Sequence, residues 1–279
     1  MFEKILAPLI IVGLFSLGLY LAPKNSVNID NKMYGYFLDV GQGDSILLNK
    51  NSSQILIDGG PDKKVVGEMG NVLPPFDKKI EFVIITHPHA DHIAGLIYVF
   101  DRYDIGKVYL TGQDYDSPEY AMLINKIQQK SIPAEKALAG TVIEMDDIKV
   151  KILWPTQVKA NIDDINGLSL VGLVEYGDSR WLLMGDLPEK FQNQMIEISP
   201  LQKTDLVKVA HHGSKNGVSE KMLSMSQPDF AVISVGDRND FGHPAKNTLS
   251  KLGGINTLRT DQLGTIKFMS DGKNTSLFR

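Results

Sequence analysis

The stretch Phe82-Val-Ile-Ile-Thr-His-Pro-His-Ala-Asp-His-Ile-Ala-Gly95 decides how this chain is read. Its first five residues, Phe82 to Thr86, form a β-prone apolar run and predict an inner strand. Helical spacing begins at Ile93. Between them, His87 and His89 stand two residues apart in a loop, where both imidazoles can converge on one ion, while Asp91 and His92 can reach a second. The chain has 279 residues and no cysteine. A transition-metal site here must therefore use His, Asp and Glu, and nitrogen and oxygen donors without sulfur suit Zn²⁺ or Mn²⁺.

The other histidines strengthen this reading. All six fall in three clusters, the remaining two being Val209-Ala-His-His-Gly-Ser-Lys215, which holds His211 and His212, and Phe241-Gly-His-Pro244, which holds His243. Each follows an apolar run and opens at a turn. Two carboxylates sit in matching places: Asp186 ends Trp181-Leu-Leu-Met-Gly-Asp186, and Asp58 ends Ile55-Leu-Ile-Asp58. An acid closing an apolar strand is costly unless it is paired or metal-bound. Asp186 is read as a bridging ligand and Asp58 as the acceptor of a hydrogen bond from a ligand histidine. The plain alternative for each is a turn aspartate.

Outward from the motif, short β-rich runs alternate with turns and helices. Strands are expected over Tyr34 to Val40, Ser45 to Asn49, Gln54 to Ile57 and Lys107 to Leu110, with helices over Ile93 to Phe100 and Pro118 to Lys130. Thr141 to Trp154 returns to β. The second half repeats the order, with strands near Ser169 to Tyr176, Trp181 to Met184, Leu206 to Ala210 and Phe230 to Val235, and helices near Glu189 to Ile198, Val218 to Ser226 and Lys246 to Leu252. Strands at Thr257 to Arg259 and Thr265 to Met269 close the chain. Two such halves predict an α/β fold of two packed sheets with helices outside, a four-layer αββα sandwich spanning 28–279.

Residues 1–27 differ. Ile5 to Ala22 is an uncharged apolar run between Lys4 and Pro23-Lys24, just long enough to cross a bilayer as one hydrophobic helix, with a poor small-x-small cleavage site at Tyr20-Leu21-Ala22. A membrane anchor is expected, or a signal segment if it is cleaved, placing the rest outside the cytoplasmic membrane. The net charge is -4 and the lysines are scattered, so no polybasic tail advertises nucleic acid.

These motifs together resemble the metallo-β-lactamase superfamily, and within it the ComEC-like hydrolase domains of competence proteins. The resemblance rests on Phe37-Leu-Asp-Val-Gly-Gln-Gly-Asp-Ser45, Ile55 to Gly60, Thr86 to Gly95, Gly185-Asp-Leu187, Ala210-His-His-Gly-Ser-Lys215, Ile233-Ser-Val-Gly236 and Gly242-His-Pro244. It implies that His87 and His89 bind the first of two divalent ions, that Asp91 and His92 bind the second, and that Asp186 bridges them. His211 takes the place of the family's last metal histidine, with His212 the alternative. The family's usual histidine between these motifs is missing, and Asn166 and Ser169 occupy that stretch. His89, not Glu, is the second ligand of the His87 motif, unlike in diiron relatives, which disfavours a redox role.

The function this implies is hydrolysis of a phosphodiester, with DNA as the expected partner. Asp91 would orient the attacking water. His243, Ser214 and Lys215 would contact phosphate or protonate the leaving group, and Gln42 and Asp44 would shape the cleft. Two other readings stand: a phosphoester, lactone or β-lactam hydrolase using the same site, and a metal-stabilised binding module without activity.

Overall fold

The computed structural model describes residues 31–158 and 164–278. The expected N-terminal helix lies outside these residues. Among the described residues no helix is long and apolar enough to cross a membrane.

The chain opens with strands β1 (Met33–Phe37), β2 (Ile46–Lys50), β3 (Ser53–Ile57), β4 (Lys79–Ile84), β5 (Asp104–Leu110) and β6 (Ala134–Lys136). It then lays down β7 (Val142–Met145), β8 (Ile148–Trp154), β9 (Val171–Tyr176), β10 (Ser179–Leu183), β11 (Leu206–Lys208), β12 (Phe230–Ile233) and β13 (Asn256–Arg259) before β14 (Ile266–Ser270) and β15 (Thr275–Phe278). One sheet runs β15-β14-β1-β2-β3-β4-β5-β6 and the other β13-β12-β11-β10-β9-β8-β7.

Strict alternation along the strands builds three apolar layers. Ile46 and Leu48 face the other sheet, as do Trp181 and Leu183, and their side chains share the central core with Phe37, Val150 and Val174. Leu47 points the opposite way, onto α1 (Lys64–Val72), α3 (Leu96–Arg102) and α4 (Pro118–Gln129), which cover it with Val65, Met69, Phe100 and Leu123. Between them lies the short α2 (Ala90–Ile93). Leu182 and Val207 face out of the second sheet onto Met195 of α5 (Glu189–Ile198) and Met222 of α6 (Glu220–Ser226). Period-two burial on both faces of both sheets is what makes four layers.

Three expectations are adjusted. The single helix over Ile93 to Phe100 is two helices, α2 and α3, that meet at Gly95. The β run from Thr141 to Trp154 is a hairpin that turns at Asp146, which holds a left-handed φ of 54°. The strand through Ala210 stops at Lys208, and Ala210 to Gly213 coil into a tight turn.

The break at Gly95 has a steric cause. Gly95 donates to Gly60 O at 2.9 Å, Gly59 donates to His92 O at 2.7 Å, and a Cβ on Gly95 would fall 1.8 Å from Gly59 O. Only glycine lets the end of the motif lie against the loop that follows β3. Because the obstacle is backbone, Gly95→Ala is expected to lower stability by about 3 kcal/mol. Urea unfolding would measure this, and an unchanged midpoint would show that the loops do not pack this way.

Candidate metal centre

The strands that carry the motifs run parallel where it matters. β3, β4 and β5 are parallel neighbours in one sheet, and β10, β11 and β12 in the other. Asp58 follows β3, Thr86 to His92 follow β4, Asp186 follows β10, and His211 and His212 follow β11. All therefore emerge at carboxyl ends of parallel strands, the edge at which open α/β sheets place their ligands.

Asp186 is the centre of the cluster. It is 1% exposed, and four imidazole nitrogens surround its Oδ2: His92 Nε2 at 3.3 Å, His212 Nε2 at 3.6 Å, and His87 and His211 Nε2 at 3.9 Å. Asp91 reaches in from the opposite side, its Oδ2 3.1 Å from His212 Nε2 and 3.9 Å from His92 Nε2. Asp91, His92, Asp186 and His212 thus offer donor atoms all within 4.8 Å of one another. His87 packs against His92, ring centroids 4.1 Å apart, and its Nε2 lies 3.1 Å from His89 Nδ1.

The ring orientations are fixed from behind. Asp58 is fully buried and accepts from Thr86 N at 2.8 Å, Thr86 Oγ1 at 2.6 Å and His92 Nδ1 at 2.8 Å. That leaves His92 Nε2 pointing at Asp186, buried and with no hydrogen-bond partner among the described residues. His212 Nδ1 lies 3.0 Å from Ser234 O, which likewise turns Nε2 toward the carboxylates. A buried ring nitrogen aimed among carboxylates, with its other nitrogen held by an acceptor, fits a divalent cation ligated by imidazole and carboxylate.

The electrostatics agree. Burial opposes charge on His92, but Asp186, Asp91 and Asp58 outweigh it and raise it well above the usual histidine range. Burial also opposes charge on His212, and Asp186, Asp44 and Asp91 push it up to about 9. His87 goes the other way, held well below the ordinary value by burial and then by the charge of His92. The carboxylates demand positive charge at His92 and His212, and a metal ion supplies it in place of protons.

Of the two candidates for the last metal histidine, the structure turns His212, the alternative, toward the cluster. His211 and His212 both hold left-handed backbone, φ 51° and 52°, a strain of order 1–3 kcal/mol each for residues with a side chain. The turn swings His212 inward, 1% exposed, and it is His212 that joins the Asp91 group. His211 keeps its side chain 36% exposed.

The substrate-side expectations separate. His211, Ser214, Lys215 and His243 share one cleft of about 350 Å³ beside the cluster, with Asn166 on its wall. Burial, then His211 and His212, hold His243 below the ordinary histidine value. Gln42 lies elsewhere: its Oε1 accepts from Gly236 N at 3.1 Å, and it lines a neighbouring depression with Asn239. Asp44, expected to shape the cleft, is instead 2% exposed and ion-paired with Lys208. Its Oδ1 lies 3.4 Å from His212 Nδ1. Lys208, fully buried on β11, also reaches Gly185 O at 3.4 Å.

Over residues 38–237 the sequence matches the pattern of the metallo-β-lactamase superfamily. The chain belongs to that superfamily. Among curated proteins it is similar to ComE operon protein 3 of Bacillus subtilis, 29% identical with 83% of this chain and 32% of that protein covered. It is likewise similar to Recombination protein 2 of Haemophilus influenzae, at 30% identity with 77% and 26% covered. The chain thus spans a third or less of these relatives. The metallo-β-lactamase-fold protein YhfI of Bacillus subtilis superposes with a TM-score of 0.60 at 12% identity, covering 86% of this chain and all of that one, which shows the shared fold. The chain is accordingly a metallo-β-lactamase-fold member of the metal-dependent hydrolases, with competence proteins among its relatives.

Lys208 and Thr86 were not singled out from the sequence. Lys208 had a readable signal, a lysine inside the apolar run Leu206-Val-Lys-Val-Ala210, where it must find a partner. Removing one member of a buried pair strands the other, so Lys208→Met should cost about 3–5 kcal/mol in chemical denaturation. The double variant Asp44→Leu, Lys208→Met should recover most of it, and no recovery would mean that the two are not energetically coupled.

The raised His212 value also sets a pH dependence. A histidine whose folded value lies near 9, against 6.5 unfolded, stabilises the fold fully below pH 6.5 and loses that contribution as pH rises through 9. Chelator-treated protein should therefore melt at progressively lower temperature from pH 7 to 9, and metal-loaded protein much less so. Parallel melting curves would contradict the electrostatics above.

Proposed function

We propose that this protein is a metal-dependent phosphodiesterase that cuts DNA outside the cytoplasmic membrane. The observation that carries it is the open side of the cluster. Asp91 keeps 35% of its side chain exposed, and His211, which reaches Asp186, lines a cleft whose wall bears Ser214, Lys215 and His243. A cationic lysine beside imidazoles is a phosphate-sized arrangement, and the similarity to Recombination protein 2 and to a Neisseria gonorrhoeae competence protein favours DNA as the phosphodiester.

Divalent ions bound at the cluster would polarise the phosphate and ease deprotonation of water. The chain's own residues do the rest. Asp91 accepts a hydrogen bond from the attacking water and holds it in line. Exposed Lys215 neutralises a non-bridging oxygen. His243 donates a hydrogen bond to a phosphate oxygen. His87, His89, His92, Asp186 and His212 bind the ions, with His92 and His212 fixed by Asp58 and Ser234 O. The apolar segment Ile5 to Ala22 anchors the domain or directs its export.

The test is to offer the full chain, loaded with Mn²⁺ or Zn²⁺, single- and double-stranded DNA, bis(p-nitrophenyl) phosphate and nitrocefin. DNA cleavage is expected, abolished by EDTA. Asp91→Asn should reduce kcat by about 100-fold or more, the scale of a positioned acid–base group. Turnover of nitrocefin or of a small ester with DNA left intact would establish the small-molecule reading instead.

A further inference from the structure

The family's usual mid-chain histidine is missing, and the group Asp91, His92, Asp186 and His212 offers donors for one ion. His87 and His89, with ring nitrogens 3.1 Å apart, stand outside that group and have no third imidazole from the expected stretch, where Asn166 and Ser169 stand. Of the two remaining histidines, His211 and His243, which both line the cleft with Asn166, His211 is the one that reaches Asp186. Its Nε2 lies 3.9 Å from Asp186 Oδ2, the same distance as His87 Nε2, and its charge acts on His89.

We propose that His211 ligates the first ion, together with His87, His89 and Asp186, and so replaces the missing histidine from the opposite sheet. Two adjacent residues in left-handed backbone explain how one short turn can serve two ions. Side chains at successive positions diverge, so the turn Ala210 to Gly213 sends His212 into the Asp91 group, while His211 stays outside that group with its Nε2 still 3.9 Å from Asp186 Oδ2. The amide of His211 donates to Asp186 Oδ1 at 3.1 Å, which holds the turn against the carboxylate that both ions would share. Regular strand or helix through these residues would not straddle one carboxylate. The assignment also gives the strain a function, since relaxing either residue removes one of the two rings from Asp186. The half-exposed His211 makes the first ion the one open to the cleft.

The inference rests on metal binding and not on phosphodiester cleavage, so the test reads ions. The full chain is titrated with Co²⁺ by calorimetry and by visible absorption, which reports the coordination of each ion. The native chain should bind two ions in two steps. His87→Asn identifies the step that belongs to the first ion. His211→Asn, which keeps a residue tolerant of left-handed backbone, should weaken that same step by about 10-fold or more and leave the other unchanged. His212→Asn should weaken only the other step. His211→Gly, fully compatible with the φ of 51°, repeats the measurement should the asparagine variant misfold. Two native-like steps in the His211 variants overturn the proposal, as does loss of the step that His212→Asn removes. Intact binding of both ions without DNA cleavage would count against the phosphodiesterase reading alone.

Discussion

A carboxylate with four imidazole nitrogens within 3.9 Å, buried where two sheets meet, is the constraint around which the rest of the molecule is arranged. Asp186 cannot sit in apolar surroundings as a bare anion, because desolvation alone would cost several kcal/mol. Its neighbours cannot all be protonated either, since like charges packed this closely repel; His87 is accordingly held neutral while His92 and His212 are driven toward charge. A divalent cation resolves both demands at once. The fold supplies rigid parallel strand ends on both sides so that the donors need not move to meet it.

Two buried contacts keep those ends in register. Asp58 binds the backbone and hydroxyl of Thr86 and one nitrogen of His92, so the end of β3 sets the loop after β4. Asp44 and Lys208 do the equivalent between the sheets, bridging 164 positions of sequence. A buried ion pair is weak support for stability taken alone, because desolvation offsets most of the attraction. Its value here is positional. Asp44 N also donates to Asp91 O at 3.3 Å and its Oδ1 lies beside His212, so one pair fixes the backbone of one ligand loop and the ring of the other.

The layers and the first half of the centre were legible because they depend on short-range pattern. Alternation through Ile46-Leu47-Leu48 and Trp181-Leu182-Leu183 announces strands buried on both faces, and His87 to His92 cluster within six residues. What failed to show was set at long range or by unusual backbone. Helix α1 carries Gly67 and Gly70, which lower its propensity, and it exists because Val65 and Met69 pack onto the first sheet. Asp44 reads as a polar turn residue until its partner, 164 residues on, is known. The choice between His211 and His212 turns on two positive φ angles that no periodicity encodes.

Burial divides the centre unequally, and the division bears on chemistry. Asp58, His92 and His212 are sealed, each at 1% exposure or less, whereas His211 and Asp91 keep about a third of their side chains open. A group sealed on all sides can hold an ion but cannot exchange its ligands quickly; a group with one open flank can admit an oxygen from solution. The deep side therefore fixes Asp186 and the inner rings, and the shallow side meets whatever enters the cleft of His243 and Lys215. Each group of donors thus joins sealed rings to one open ligand, Asp91 beside His92 and His212 and His211 beside Asp186, so the buried donors stay assembled while an oxygen from solution can enter at the open one.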